Sequence, residues 1–560
     1  MARRAALLAF ALLVPACGSG GSSGGSSGAA PDPAPPPASS GRRMKARDVN
    51  LYMVYYGAWD DAKIRVARQY HLVIVHPTAG RVTREQVAAI QRGVDPADPS
   101  DDVLVLGYVS VGEDARTHYA SDAQMAADPR FAGDRTGPRV DPRGPNADGA
   151  PAAGIDPLGR PSPGGSGYAS WYLDDNDVDR TGVGDGRPDR NGIFGACFVN
   201  AGDPKWFDVL QEMTLDGADG VASIREILTT TVGRGLGCDG LFLDTLDTAA
   251  PNAFTGPWSV NQSEFEWTAP GFSSIVARLR ETYPGHLLLQ NRGLFFFDPR
   301  HPHYGVTTRG LLDFVFFESY RLDNTDADNP HPYFYPDNQY NIAPKIMAEA
   351  NRPDGFRVLS LGYAEGPVHL MSQDTLVGRS VLGFDSLLED IRATQERTGF
   401  RHYLSDLELE VFNTFVRDHA RWTDTAPPAW TSTFNVNESP QGVPEPPTPR
   451  VGVQAVEAGP ASLTVRWDVA LDMNRVRYAL YYQTRPFDFS ADPLLSGATR
   501  VVLTPGMGRG YAHAPGVYPY EGTVTGLIPG RTYYLVLRAF DESPAANEEP
   551  NTAVRTGVPR

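Results

Sequence analysis

The sequence predicts a (β/α)8 barrel followed by a small all-β sandwich. Two observations predict the barrel: eight short apolar runs fall between residues 50 and 406, and the segments between them carry helical periodicity. A third predicts the sandwich, because strict strand-like alternation begins after a proline-rich stretch. Together these give an α/β TIM-type barrel with an antiparallel module behind it.

The runs are NLYMVYYG (50–57), HLVIVH (71–76), VLVLGYVSVGE (103–113), GLFLDTLD (240–247), HLLLQNRG (286–293), DFVFFESY (313–320), FRVLSLGYA (356–364) and FRHYLSD (400–406). Most are apolar on both faces, as a parallel strand covered on both sides must be. Helical segments such as TREQVAAIQRG follow the second run, and GFSSIVARLRETY precedes the fifth. One connection is irregular: about 125 residues separate the third run from the fourth, far more than the about 12–15 of an ordinary loop. Its last part, from DPKWFDVLQEM through SIREILTTTVGRGLG, is expected to be helical. Between residues 172 and 192, YLDDNDVDRTGVGDGRPDRNG places acids among glycines. That composition makes Asp175, Asp177, Asp179, Asp185 and Asp189 candidate calcium ligands, since Ca²⁺ takes six to eight oxygens from a curled backbone. An EF-hand register fails, because Arg180 stands where the loop needs glycine. A solvated acidic turn is the alternative, and no cofactor is otherwise required.

Both ends of the chain are distinctive. Residues 1–16, MARRAALLAFALLVPA, combine Arg3 and Arg4 with an apolar run too short to span a bilayer, the pattern of an export signal. Val14-Pro15-Ala16-Cys17 resembles a bacterial lipobox, which implies lipidation of Cys17. Residues 17–47 then read as a Gly/Ser and Pro tether, so the expectation is an exported, membrane-anchored lipoprotein of the outer membrane or cell surface. The barrel is assigned to 48–425, a proline-rich linker to 426–448 and the sandwich to 449–560. Within the sandwich, Trp467 and LIPGRTYYLVLRAFD, with Leu527, Pro529 and Tyr533, resemble the tyrosine corner of a fibronectin type III module. In an oxidising compartment the remaining cysteines, Cys197 and Cys238, are a candidate disulfide.

The net charge of −17 is uneven: residues 1–47 carry about +5, 449–560 about +1 and the middle about −23. A field of that sign disfavours nucleic acid and attracts a cationic partner. There is no HExxH, no phosphate-binding glycine loop and no GxSxG, and His301 and His303 alone are weak grounds for a metal.

In a barrel of this kind, the chemistry sits where strands end. Asp244 follows Leu241-Phe242-Leu243 directly, and Glu318 follows Phe314-Val315-Phe316-Phe317. A carboxylate at such a place is costly unless paired or functional. Either the two acids pair with arginines such as Arg292, or they form the acid and nucleophile or base of glycoside hydrolysis. Trp206, Trp258, Trp267 and Phe295-Phe296-Phe297 are either core or sugar-stacking surfaces.

LGYVSVGE (106–113), CDGLFLDTLD (238–247), LLLQNRG (287–293) and DFVFFESY (313–320) resemble, in order and separation, glycoside hydrolase family 114, the endo-α-1,4-polygalactosaminidases. The likeness covers roughly residues 48–425. It implies an enzyme that cuts internal bonds of α-1,4-linked, galactosamine-containing, cationic polysaccharide, with Asp244 as nucleophile or general base and Glu318 as general acid. Tyr56, Glu113, Asp247, Asn291 and Tyr320 are then candidates for substrate binding, Asp247 also for capping the segment after its strand. Two departures stand out: His76 where the family often has an acid, and the long insertion. The alternative reading is a non-catalytic polysaccharide-binding or adhesion lipoprotein on the cell surface.

Overall fold

The computed structural model describes residues 41–560, apart from 145–146, 148–154, 176–183, 193, 252–264, 302–304, 323–333, 365–383, 421, 438, 440–441, 443 and 508–513. Cys17 and the signal segment therefore lie outside the described residues, as do Trp258 and His303. All eight apolar runs form strands: β1 Tyr52–Tyr55, β2 Leu72–Val75, β3 Leu104–Ser110, β4 Gly240–Asp244, β5 Leu287–Asn291, β6 Phe314–Phe317, β7 Arg357–Tyr363 and β8 Arg401–Ser405. They form one sheet in the order of the chain, rolled into a nearly closed barrel. Pairing is parallel from β1 through β6. Beyond the end of β1, Tyr56 N donates to Leu409 O at 2.8 Å.

The local rules are visible in the connecting helices. Arg84–Gln91 begins at a capping box in which Thr83 and Gln86 exchange side-chain bonds to each other's backbone N–H. Ala269–Thr282 and Pro204–Glu212 form as the periodicity predicts, the latter behind the N-cap of Asp203. The stretch SIREILTTTVGRGLG is helical only over Ile224–Leu228: Thr229 is already extended, and Gly233, Gly235 and Gly237 all take positive φ beyond it. Gly107 of β3 lets that helix approach: a Cβ there would lie 2.5 Å from Ile227 Cγ2.

The N-terminal ends of the strands carry an ionic seal, buried around Asp313 and open at Arg42. Asp239, just before β4, accepts from Val105 N and Gln91 Nε2 at 2.9 Å each and from Arg42 Nε at 2.7 Å. Asp313, just before β6, accepts from Arg43 Nε at 2.7 Å, Arg280 Nη2 at 2.6 Å and Leu288 N at 3.0 Å. Helix Gly41–Ala46 is thus pinned to the end of the barrel opposite the strand ends that bear Asp244 and Asn291.

Contacts divide the chain into two units: Met1–Phe296, His301–Glu318 and Ser405–Asn413 in one, and Phe297–Arg300, Ser319–Leu404 and Thr414–Arg560 in the other. The division thus falls elsewhere than the linear boundary at 425. The second unit contains two antiparallel four-stranded sheets. One joins β9 Ala455–Gly459, β10 Ser462–Trp467 and β13 Tyr520–Thr525 to the short strand Gly506–Met507. The other runs β12 Thr499–Leu503, β11 Val476–Gln483, β14 Tyr533–Asp541 and β15 Arg555–Gly557. Trp467 sits at ring distances of 5.4 Å from Tyr478 and 5.9 Å from Tyr520, filling the space between alternating inward faces. Tyr533 Oη accepts from Ile528 N at 3.1 Å, and Tyr520 Oη donates to Ala348 O of helix Ala343–Ala350. β12 was not foreseen, since TRVVL lies beside a Gly- and Pro-rich stretch that masks its alternation.

Candidate active site

Three consecutive strands deliver the central residues. Asp244 is the last residue of β4, Asn291 is the last of β5, and Glu318 directly follows β6. Asn291 stands on the middle strand and serves both neighbours: its Nδ2 donates to Asp244 Oδ1 and to Glu318 Oε2, each at 2.7 Å. The amide orientation follows from chemistry, because only the nitrogen can bond two carboxylates. The two facing carboxylate oxygens are therefore no more than twice 2.7 Å apart. Asn291 Oδ1, although buried, has no hydrogen-bond partner among the described residues.

Tyr108 Oη, from β3, donates to Asp244 Oδ2 at 2.8 Å. Burial and the neighbouring charge of Glu318 raise the Asp244 carboxyl to about 6, against the opposing hydrogen bonds from Asn291 and Tyr108. The Asp244 anion is thus held against burial by those two donors. Tyr108→Phe removes one donor to that anion and should move the acid limb of the pH–rate profile upward. A profile of the variant whose acid limb stays in place would contradict this role for Tyr108.

Aromatic and acidic groups surround the pair. Tyr108 stacks on His76 at 4.6 Å, and Tyr56 lies 4.9 Å from His76 and 5.6 Å from Tyr108. Burial, with Arg81 and His118 nearby, lowers His76 to about 4, so it is a neutral aromatic wall at ordinary pH. The Tyr56 hydroxyl titrates well above its usual range, through burial and then the charges of Asp244 and Glu318. Glu113, only 6% exposed, is raised to about 7 chiefly by burial, with Asp244 adding to the shift. Asn191 Nδ2 donates to its Oε1 at 2.8 Å. No sequence signal pointed to Asn191 in this role, because it lies 78 residues away within the insertion. A two-residue ladder pairing Glu113–Asp114 with Cys197–Phe198 brings its loop to the strand end.

The backbone at this end is held in an unusual state. Thr245, Arg292 and Ser319, the residues after Asp244, Asn291 and Glu318, have φ of 64°, 51° and 55°. Left-handed conformation is rare for such side chains and costs about 1–3 kcal/mol each, so surrounding bonds must enforce it. For Thr245, Oγ1 donates to Asp244 O at 2.6 Å and accepts from Gly112 N at 2.7 Å. A Cβ on Gly112 would lie 2.1 Å from Thr245 O. Gly112→Ala should therefore displace Asp244 and reduce activity at least tenfold, with far-UV circular dichroism preserved. An active Gly112→Ala variant would show that the turn tolerates the shift.

The other expected residues divide. Arg292 pairs with Asp247 at 2.8 Å, and Asp247 Oδ1 also accepts from Gly293 N. Asp247 is thus a brace for the β5 turn. Tyr320 is 2% exposed and packs edge-on to Phe400 at 5.1 Å. Trp206, Trp267 and Phe295 to Phe297 are fully buried, which decides for core between the two readings of them.

The expected disulfide also fails: Cys197 and Cys238 are both free and buried. Cys197 Sγ lies 3.7 Å from Met125 Sδ in the insertion, whereas Cys238 lies at the start of β4, beside Gly107. Of the calcium candidates, Asp177 and Asp179 lie outside the described residues. Asp175, Asp185 and Asp189 form no shared cluster among the described residues, and each is engaged by backbone instead. Asp189 Oδ2 accepts from Asp175 N, Asp175 Oδ2 from Asp141 N, and Asp185 Oδ1 from Arg187 N. A Ser360–His402–Asp390 chain, with both links at 2.8 Å, has the order of a nucleophile relay. Ser360 is fully buried, so the chain serves to tie β7, β8 and helix Phe384–Thr398 together.

No family model matches the chain, and no curated protein matches it. Among solved structures it is similar to the glycoside hydrolase domain of PelA from Pseudomonas aeruginosa, at 17% identity over 65% of this chain and 96% of that one, with a TM-score of 0.33. The E218A variant of the same domain gives 16% identity over the same shares and a TM-score of 0.35. A GH18 chitinase from Pseudoalteromonas aurantia gives 11% over 66% and 98%, with a TM-score of 0.32. Likenesses this distant leave the function to the site itself.

Proposed function

We propose that the protein is a glycoside hydrolase that cuts internal α-1,4 bonds of a galactosamine-containing polysaccharide through a covalent intermediate. The observation that carries this reading is the single amide of Asn291 held between two carboxylates on flanking strands. A retaining pair stands about 5–5.5 Å apart and an inverting pair about 6.5–9.5 Å. Oxygens bridged by one nitrogen favour the shorter class. Asp244, oriented by Asn291 and Tyr108, attacks the anomeric carbon. Glu318 protonates the departing glycosidic oxygen and then, as a carboxylate, takes a proton from the water that releases the sugar.

The donor–acceptor balance supports an amino sugar. Asp244, Glu318 and Glu113 are acceptors once ionised, Asn291 Oδ1 is an acceptor at any pH, and Arg292 at this end pairs with Asp247. Such a lining suits hydroxyl and ammonium donors, and the acidic middle of the chain adds a long-range attraction for a polycation. We further assign Cys17 as the lipid attachment site of an exported protein, and the two C-terminal sheets as a fibronectin type III module. The functional test is reducing-end release from partly deacetylated α-1,4-linked galactosamine polymer. Release by the purified protein supports the reading. Binding without release would favour a non-catalytic polysaccharide-binding surface protein.

A further inference from the structure

Of the aromatics that sequence offered for sugar stacking, those among the described residues are interior, whereas Tyr119 and Phe194 are outside. Tyr119 is 98% exposed and Phe194 is 59% exposed. A lone exposed aromatic is ordinary. These two are different, because one half-buried cation organises both of their loops. Arg190 Nη1 donates to Thr117 O and Gly195 O at 2.9 Å each, while Nη2 donates to Ala120 O at 2.7 Å. The carbonyls immediately around Tyr119 and beside Phe194 thus converge on one guanidinium. A Cβ on Gly195 would lie 3.6 Å from His118 O, so the loops touch directly as well.

Both loops are wired to the candidate active site. Phe194 N donates to Asn191 Oδ1 at 3.1 Å, and the same side chain donates to Glu113. The Tyr119 ring stands edge-on to His118 at 6.0 Å, and His118 acts electrostatically on His76, which stacks on Tyr108. The exposed pair therefore lies on segments continuous with the Asp244 end of the barrel, not on an unrelated surface.

We propose that Tyr119 and Phe194 form a sugar-stacking platform that holds distal residues of the polysaccharide whose bond is cut at Asp244 and Glu318. The C–H faces of pyranose rings stack on aromatic faces, and an ammonium group on the sugar adds a cation–π attraction. Loops fixed beforehand by Arg190 lose little freedom on binding, which favours affinity. This inference rests on the polysaccharide reading above and places its longer-range recognition on the insertion.

The test uses the full mature chain with Tyr119→Ala, Phe194→Ala and the double substitution, each in the native and the Asp244→Asn background. Binding of partly deacetylated α-1,4-linked galactosamine polymer is measured by calorimetry beside that of its disaccharide fragment, with melting temperature as a check on folding. The double variant should bind polymer at least tenfold more weakly, with a smaller loss for the disaccharide, and should raise KM for polymer far more than it lowers kcat. Unchanged polymer binding, or equal losses for polymer and disaccharide, would overturn the platform. If the native protein binds polymer without cutting it, the hydrolase reading fails while the same binding comparison still decides the platform. If it neither binds nor cuts, both readings fall.

Discussion

Asp244→Asn and Glu318→Gln should each lower polymer cleavage by about 10²–10⁴-fold while leaving the fold intact, because each removes one half of an acid–nucleophile pair. The two variants should fail differently. With an activated aryl glycoside, whose leaving group needs no proton, Glu318→Ala should still form the covalent intermediate on Asp244, and azide should rescue turnover with retained anomeric configuration. Azide should not restore a retained product to Asp244→Ala. An inverted product from the native protein would exclude the covalent route and require Asp244 to act through water.

The pH dependence follows from the site. Asp244, raised to about 6, must be ionised to attack, so kcat/KM should fall as pH drops below about 6. Glu113, raised to about 7 mainly by burial, gains its negative charge near neutrality and should then strengthen binding of a cationic sugar. KM for the polymer should accordingly decrease as pH rises through about 7. A Glu113→Gln variant whose KM shows the same pH dependence would remove Glu113 from that role.

Asp313→Ala is the substitution expected to cost most stability. It leaves the buried guanidiniums of Arg43 and Arg280 without the carboxylate that receives them at 2.7 and 2.6 Å, and it removes the acceptor of Leu288 N. Breaking a buried charge cluster on one side costs about 3–5 kcal/mol. Arg43→Ala should cost less, since Arg280 still neutralises Asp313. Urea unfolding monitored for the barrel should rank Asp313→Ala well below Arg43→Ala. Equal midpoints would mean that the seal contributes little.

The barrel strands were legible because burial on both faces leaves a plain mark in sequence: LVIV and FVFF are strands wherever they are covered. The two carboxylates were legible for a related reason, as polar residues standing where an apolar run stops. The Phe295 to Phe297 run could not be decided by the reading, because an aromatic residue looks the same in sequence whether it faces substrate or a neighbouring ring. Cys197 and Cys238 misled it, since compartment says whether thiols can bridge and only distance says whether they do.

Sequence alone, then, determined where the barrel strands fall along the chain and which acids stand at their ends, because periodicity and burial are local properties of the chain. Tertiary structure decided the partners. That Asn291 bridges Asp244 and Glu318, that Arg292 pairs with Asp247, and that Asn191 reaches Glu113 from inside a long insertion all depend on residues 27 to 78 positions apart. Hydrogen bonds act over about 3 Å, and which groups come that close is set by how the strands curl and the insertion folds back, information that no single segment contains.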